Sequence, residues 1–362
     1  MSEVVVDMIH DGKVKGDFAA QILANGRLDP GQMRPFVGSD GRVYMSVYKG
    51  GDVSDPKSYE TVLAHTNGTL RRDEWKALDE AVLNVKRHRL GGIQDLVDRG
   101  LVYTLGNAMG TTVLEYHDIS DALEADVSMD AVTRAKGDRV EYGTNYLPIP
   151  IIHADYEINA RVLATSRNMG NPLDTSMAER AARKVWEKLE GMLFTNTTYQ
   201  FGNGTIYSYL NFPQRNKQNL TKSWATPATG AEIITDVLNM KQKAIDAKHF
   251  GPYVLYIPTA YETVIDRDYD TTRGNTIRER VLAISNVEAI KVIDTLPADT
   301  VIFAQLTSDV VRLVRGLDIQ NVQWQTEGNF VNKYKVMTIQ VPQIRADHNG
   351  ACGIVHGGIS VE

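Results

Sequence analysis

Residues Asn171–Phe194, NPLDTSMAERAARKVWEKLEGMLF, carry the longest unambiguous helical periodicity in the chain. Met177, Ala181, Val185, Leu189 and Met192 recur at steps of three and four. Ala178, Ala182, Trp186 and Leu193 widen that stripe, while Glu179, Arg180, Arg183, Lys184, Glu187 and Lys188 fill the other side. The spacing predicts one long helix over residues 174–194 with a buried and a wet face. Asp174, Thr175 and Ser176 offer cap oxygens, Ser176 with Glu179 matches a capping box, and Pro172 lies upstream where it cannot interrupt the ladder. About 19 helical residues span roughly 28 Å at ~1.5 Å per residue, enough to cross a domain and act as a spine for sheets.

Working outward, the 362 residues exceed one ordinary core and predict two or three subdomains, and 43% hydrophobic residues suffice for compact folding. A net charge of -6 argues against a chain whose main task is gripping nucleic acid, although a local basic face is compatible with it. The single cysteine, Cys352, excludes an intrachain disulfide framework, and no secretory leader is visible, which fits a reducing cytoplasm. No apolar run approaches the ~18 residues that would span a bilayer.

Residues 1–70 alternate short ordered-looking pieces with Gly, Pro and Asp, and read as an arm. Asp17 caps a short helix through Phe18, Ile22 and Leu23, and Asp40-Gly41 is a hairpin signal between Phe36-Val37 and Val43–Tyr48. Such an arm cannot close a core of its own, so Phe18, Ile22, Leu23, Phe36, Tyr44 and Tyr48 are expected to lie on another part of the protein or on a neighbouring subunit. Residues 71–118 open a packed domain. There Trp75, Leu78, Val82 and Val85 predict a basic helix that Gly91-Gly92 ends.

Residues 119–150 read as a long charged hairpin turning at Lys136-Gly137-Asp138. Val127, Met129 and Ala131 alternate on one limb and Val140, Tyr142 and Thr144 on the other. An isolated hairpin is marginal in water, so Arg134, Lys136, Asp138, Arg139, Glu141 and Tyr142 are expected to contact another subunit. Residues 151–230 hold a strand over 151–158, the spine helix, and an Asn-rich polar insertion at 197–228. The segment 231–330 has a compact α/β pattern, with helices at 231–248, 259–265 and 277–282 and strands at 253–257, 287–293, 301–304 and 310–314. Residues 331–362 are β-rich and are expected to return to the spine helix.

No nucleophile with its base, metal-ligand spacing or phosphate loop survives inspection, so no catalytic, cofactor-binding or metal residue is assigned. Gly106–Gly110 lacks the lysine of a phosphate loop. Asp266-x-Asp268-x-Asp270 opens like a calcium loop, but Thr271 stands where glycine is required and Ile277 where the bidentate glutamate is required. His348, His356 and the Tyr116-His117-Asp118 triplet lack partners in sequence, and Cys352 sits in the apolar setting of a small buried residue.

At residues 251–261, GPYVLYIPTAY, the chain resembles the strand and following helix of encapsulins, which belong with tailed-phage major capsid proteins of the Hong Kong 97 type. WKALD at 75–79, IDTLP at 293–297, VIFA at 301–304 and VPQIR at 341–345 agree, in the same order of elements. The resemblance covers about residues 71–355. It implies an α+β Hong Kong 97-like fold: N-terminal arm, extended loop lapping a neighbour, peripheral domain with spine helix, and axial α/β domain. It implies hexamers and pentamers closing into an icosahedral shell around double-stranded DNA, with a portal and a separately encoded scaffolding protein, assembled in the bacterial host cytoplasm. Its founder phage links a loop lysine to a neighbour's asparagine; Lys136 is the one lysine available in the hairpin, and a turn kept soluble by charge is the simpler account of it. The encapsulin alternative is a cellular shell around a cargo enzyme, and the long arm departs from it. An α/β enzyme with an unrecognised site is the alternative of another class.

Overall fold

A computed structural model of the protein describes residues 35–48, 59–63, 70–85, 91–106, 109–119, 142–169, 175–225, 228–270, 274–327, 330–347 and 349–361. The predicted spine is helix α4, Ser176–Phe194. Ala178, Ala182, Val185, Trp186, Leu189 and Leu193 are each 5% exposed or less, as the apolar stripe requires. Two expectations fail at its start. Thr175, not Ser176, is the cap residue; its backbone is already helical (φ -94°, ψ 0°), so its hydroxyl makes no cap bond and donates instead to Glu179 Oε1 at 3.0 Å. Met177 is 46% exposed, because the buried stripe begins one residue later at Ala178. Met177→Ala is therefore expected to leave subunit stability within about 0.5 kcal/mol of the parent in a denaturant titration.

The spine lies on a sheet of order β4-β14-β15-β7. It is built from β4 (Val102–Thr104), β7 (Ile152–Asn159), β14 (Val311–Glu327) and β15 (Val331–Ile344). The antiparallel β14–β15 ribbon is far longer than the strand expected at 310–314, and register shifts at Arg315/Leu317, Leu317/Gln320 and Gln323/Gln325 bend it. Helix α1 (Arg72–Val85) packs on the same core, with Trp75 edge-on to Tyr334 at 5.8 Å and Tyr334 stacked on Tyr156 at 5.4 Å. Helix α3 (Ala160–Met169), to which the sequence reading assigned no element, is fixed to α1 by the Arg167 guanidinium, which donates to both carboxylate oxygens of Glu74 at 2.8 and 2.7 Å.

Gly91-Gly92 does not end a helix; it opens helix α2 (Gly91–Asp98). A Cβ on Gly92 would stand 2.1 Å from the Phe194 ring, so glycine is there for close approach to the spine and not as a breaker.

The second core surrounds a sheet of order β10-β16-β13-β11-β12. Its strands are β10 (Asn216–Asn219), β11 (Tyr253–Pro258), β12 (Val287–Ile293), β13 (Thr300–Gln305) and β16 (Ile354–Gly358). Helix α5 (Gly230–Asp246) covers it, opened by a complete Thr229–Glu232 capping box, together with the short helices α6 (Glu262–Ile265) and α7 (Ile277–Leu282). The boundary expected at residue 330 falls elsewhere. β14 leaves this region for the first sheet, and β16, expected on the spine, pairs here because both β10 and β13 offer it a free ladder.

The segment 197–228 is not a surface insertion throughout. In the hairpin of β8 (Tyr199–Phe201) and β9 (Gly204–Ile206), β8 is exposed while Gly204 and Ile206 of β9 are buried. Beyond it, Tyr209, Leu210 and Phe212 sink into the first core and Leu220 and Trp224 into the second, so this polar-looking stretch joins the two.

Candidate assembly surfaces and the junction of the two cores

The arm meets its own chain before it meets anything else. β1 (Phe36–Val37), β2 (Val43–Tyr48) and β3 (Tyr59–Leu63) form an antiparallel sheet, with the predicted turn at Asp40-Gly41, where Gly41 has φ +79°. Phe36 packs against the first core and under the Arg72 guanidinium, 5.6 Å from the ring centroid. The Tyr44 hydroxyl donates to Asp40 at 2.6 Å. The Trp75 indole N–H donates to the Pro35 carbonyl at 3.0 Å, and the Val37 N–H to the Leu70 carbonyl at 2.9 Å. Between this sheet and α1 runs an open groove of about 680 Å³ lined by Phe36, Ser46, Arg72, Asp73, Trp75, Lys76 and Asp79. Tyr48 ends β2, while Phe18, Ile22 and Leu23 lie outside the described residues.

The expected hairpin has a described stem. β5 (Val113–Ile119) pairs antiparallel with β6 (Tyr142–Pro148), from Val113↔Pro148 to Ile119↔Tyr142. Tyr142 is thus the first residue back from the loop. Arg134, Lys136, Asp138, Arg139 and Glu141 fall in 120–141, outside the described residues. Tyr146 of the stem and Tyr199 and Phe201 of β8 are 40–53% exposed. The expected basic faces are real but mixed. Arg180, Arg183, Lys184 and Lys188 are exposed along α4, with Lys184 held by Glu187 at 2.7 Å, and Arg72 and Lys76 alternate with Asp73 and Glu80 on α1.

A buried polar cluster that sequence reasoning missed joins the two cores. Glu190, which the sequence reading placed on neither face of the spine, is 1% exposed; its Oε1 accepts from the Gly92 N–H at 2.9 Å and its Oε2 from the Ile93 N–H at 3.1 Å. The spine thereby caps the N-terminus of α2, where a negative charge is favoured. Burial raises the Glu190 carboxyl to about 7, against the pull of those two N–H groups, with Asp95 adding to the rise. Asp95, itself 4% exposed, accepts from the Tyr256 hydroxyl at 3.0 Å and pairs with Lys291 of the second sheet. Burial likewise holds the Tyr256 and Tyr209 hydroxyls protonated. Asp95 on an apolar-periodic helix followed by Lys291 on a strand gave no sequence signal, because the pair forms across 196 residues.

The discarded chemical motifs have ordinary explanations. Asp266 is paired with Arg278 at 2.6 Å, and no cluster of three potential metal ligands exists among the described residues. Burial pushes the Cys352 thiol up to about 12 and the His356 imidazole down to about 4, where Nδ1 accepts from Arg215 at 3.2 Å. No described helix is long and apolar enough to cross a membrane.

This architecture is shared with known proteins. The type 1 encapsulin shell protein EncA of Myxococcus xanthus (strain DK1622) is 26% identical over 212 residues, 58% of this chain and 68% of that protein. The virus-like particle from Pyrococcus furiosus superposes with a TM-score of 0.57 at 21% identity, over 78% of this chain and 98% of its own. The capsid protein of Myoviridae phage XM1 gives 0.56 at 9% identity, over 74% and 92%. The fold is the Hong Kong 97-like one that the order of motifs implied. The pattern described as "Family of unknown function (DUF6260)" matches residues 64–357, and the chain belongs to that family.

Proposed function

We propose that this chain is the major capsid protein of a tailed bacteriophage, a structural subunit that closes with its copies into an icosahedral shell around double-stranded DNA. One observation carries the shell reading: the spine, the four-stranded sheet and the second core together follow shell-forming proteins over most of this chain's length. A stem that opens into residues 120–141 and an exposed aromatic edge beside it make sense as surfaces for self-association. Hexamers and pentamers, a portal and a separate scaffolding protein belong to the same proposal, as does assembly in the host cytoplasm. The exposed cations of α4 and α1 suit weak, sequence-independent contact with packaged phosphates, which salt would screen.

The encapsulin reading is favoured by a specific observation, the higher sequence identity to the encapsulin shell protein than to the phage capsid. Electron microscopy and size measurement of the purified protein test the shell; nucleic acid that survives nuclease inside the particle is the expected content. A co-purifying folded enzyme in place of DNA would transfer the chain to the encapsulin reading, and a small soluble oligomer would end both.

A further inference from the structure

At the open end of the β14–β15 ribbon the ladder sets Arg312 directly opposite Gln343, and Arg312 Nε donates to Gln343 Oε1 at 2.6 Å. That bond fixes the amide, so its NH2 points away from Arg312. Gln343 is 1% exposed, and its Nε2 meets no acceptor among the described residues. The pairing runs on past the strand end, because the Arg345 N–H donates to the Val310 carbonyl at 2.8 Å. Arg345 therefore stands on the same face as Gln343 and diagonally across from Arg312, about 7–8 Å away. Its Nε is also buried without an acceptor among the described residues.

No acid answers these donors. Among the described residues neither Arg312 nor Arg345 has an ion pair, and Asp318, further along β14, is held by Arg315 at 3.5 Å. What surrounds them is aromatic and apolar. The Arg312 guanidinium lies 4.4 Å from the Tyr103 ring centroid, and Leu114 and Tyr116 of the stem pack with Val314 and Val341 on the same face of the sheet. Burial and the neighbouring Arg345 charge both lower the pKa of Arg312, as two cations held together require. Both arginines are half-buried, which leaves an approach from solvent.

Buried donors are seldom left unmet, and two like charges side by side favour an anion over water. A planar carboxylate matches a single guanidinium fork. Donors that come from three residues on two strands need acceptor oxygens arranged around a centre, and a charge that balances two cations. A phosphate group supplies both, with about -1.5 to -2 charge near neutral pH and three strong acceptor oxygens.

We infer that Arg312, Gln343 and Arg345 form a binding site for a phosphate group, on the face of the sheet that carries the loop stem. The group is either a free phosphate ion or a phosphate of nucleic acid, since both present the same kind of oxygens.

Melting of the full-length protein in chloride and in inorganic phosphate, at matched ionic strength, tests the site. At about tenfold excess of phosphate over its dissociation constant, the melting temperature is expected to rise by about 2 °C or more, and Arg345→Gln is expected to lose that rise. An equal rise in Arg345→Gln would be the general salting effect of phosphate and would overturn the site. Should Arg345→Gln fail to fold, Gln343→Glu decides. Its carboxylate keeps the acceptor for Arg312 and supplies the missing anion from within. It is expected to melt above the parent in chloride and to stop responding to phosphate; a lower melting temperature with an unchanged response overturns the site. An oligonucleotide without terminal phosphates separates the two sources. A response to inorganic phosphate assigns the site to the free ion, and a response to the oligonucleotide alone assigns it to nucleic acid. A parent that answers to neither overturns the inference. If Asp121→Asn/Glu124→Gln/Asp126→Asn/Asp130→Asn then gains the response, the chain's own carboxylates fill the cluster instead.

Discussion

A chain beginning at Pro35 is expected to melt with the full-length subunit, whereas one beginning at Thr69 melts roughly 5 °C or more lower. The sequence reading treated all of 1–70 as one arm without a core of its own. The structure divides it. Deleting through residue 68 strips Phe36 from the first core and removes Met45, which is 0% exposed. Burial of two such side chains is worth about 1.5–3 kcal/mol each. The deletion also leaves the buried Trp75 N–H without the Pro35 carbonyl, a further cost of about 1–3 kcal/mol. Ordering the deleted backbone offsets a large part of this sum, which is why a drop of a few degrees is expected and not unfolding. Calorimetry of the two truncated subunits distinguishes the roles. Equal melting for both would make 35–68 a strap as well, and a loss of particles already in the Pro35 chain would locate the strap in 1–34.

The second expected result concerns pH. Glu190 has its carboxyl raised from the ordinary glutamate range near 4.5 to about 7, chiefly by burial. A raised value means that the folded subunit holds a proton that the unfolded chain gives up between those limits, so the stabilisation is complete below about 4.5 and is lost as pH climbs through 7. A displacement of that size corresponds to about 3 kcal/mol. Other carboxylates act in the opposite sense. Glu232, held down to about 2 by the Thr229 N–H and by Lys222, stabilises above the ordinary range. The total profile is therefore a poor readout, and the difference between the parent and Glu190→Gln is the useful one. The amide of that variant cannot ionise, so the parent's advantage should shrink by about 3 kcal/mol from pH 4.5 to 7.5 in denaturant titrations. A difference that stays flat across that range would mean that Glu190 is charged throughout, with α2's N–H groups outweighing burial.

Legibility followed the range over which each signal acts. The spine was readable because its stripe repeats within 19 residues, and Asp40-Gly41 because a turn is specified by its own residues. Glu190 was not, since its surroundings are contributed by Gly92 and Ile93, almost a hundred residues earlier. Gly92 misled for the same reason: glycine as a helix end and glycine as a contact point look alike until Phe194 is placed against it. In 197–228 the polar majority hid Tyr209 and Trp224, whose burial depends on two separate cores.

The order of the second sheet has a consequence for synthesis. Its strand 354–358 lies between 216–219 and 300–305, pairing parallel to one and antiparallel to the other. On the ribosome, β10 therefore waits for a partner more than 130 residues behind it, and the two halves of the sheet cannot be joined until Gly358 has emerged. Pairings so distant in sequence form late and slowly. A nascent chain stopped anywhere before Ile354 would present two raw ladder edges to its neighbours on the polysome. Prematurely terminated chains are thus marked for aggregation or degradation by the topology itself.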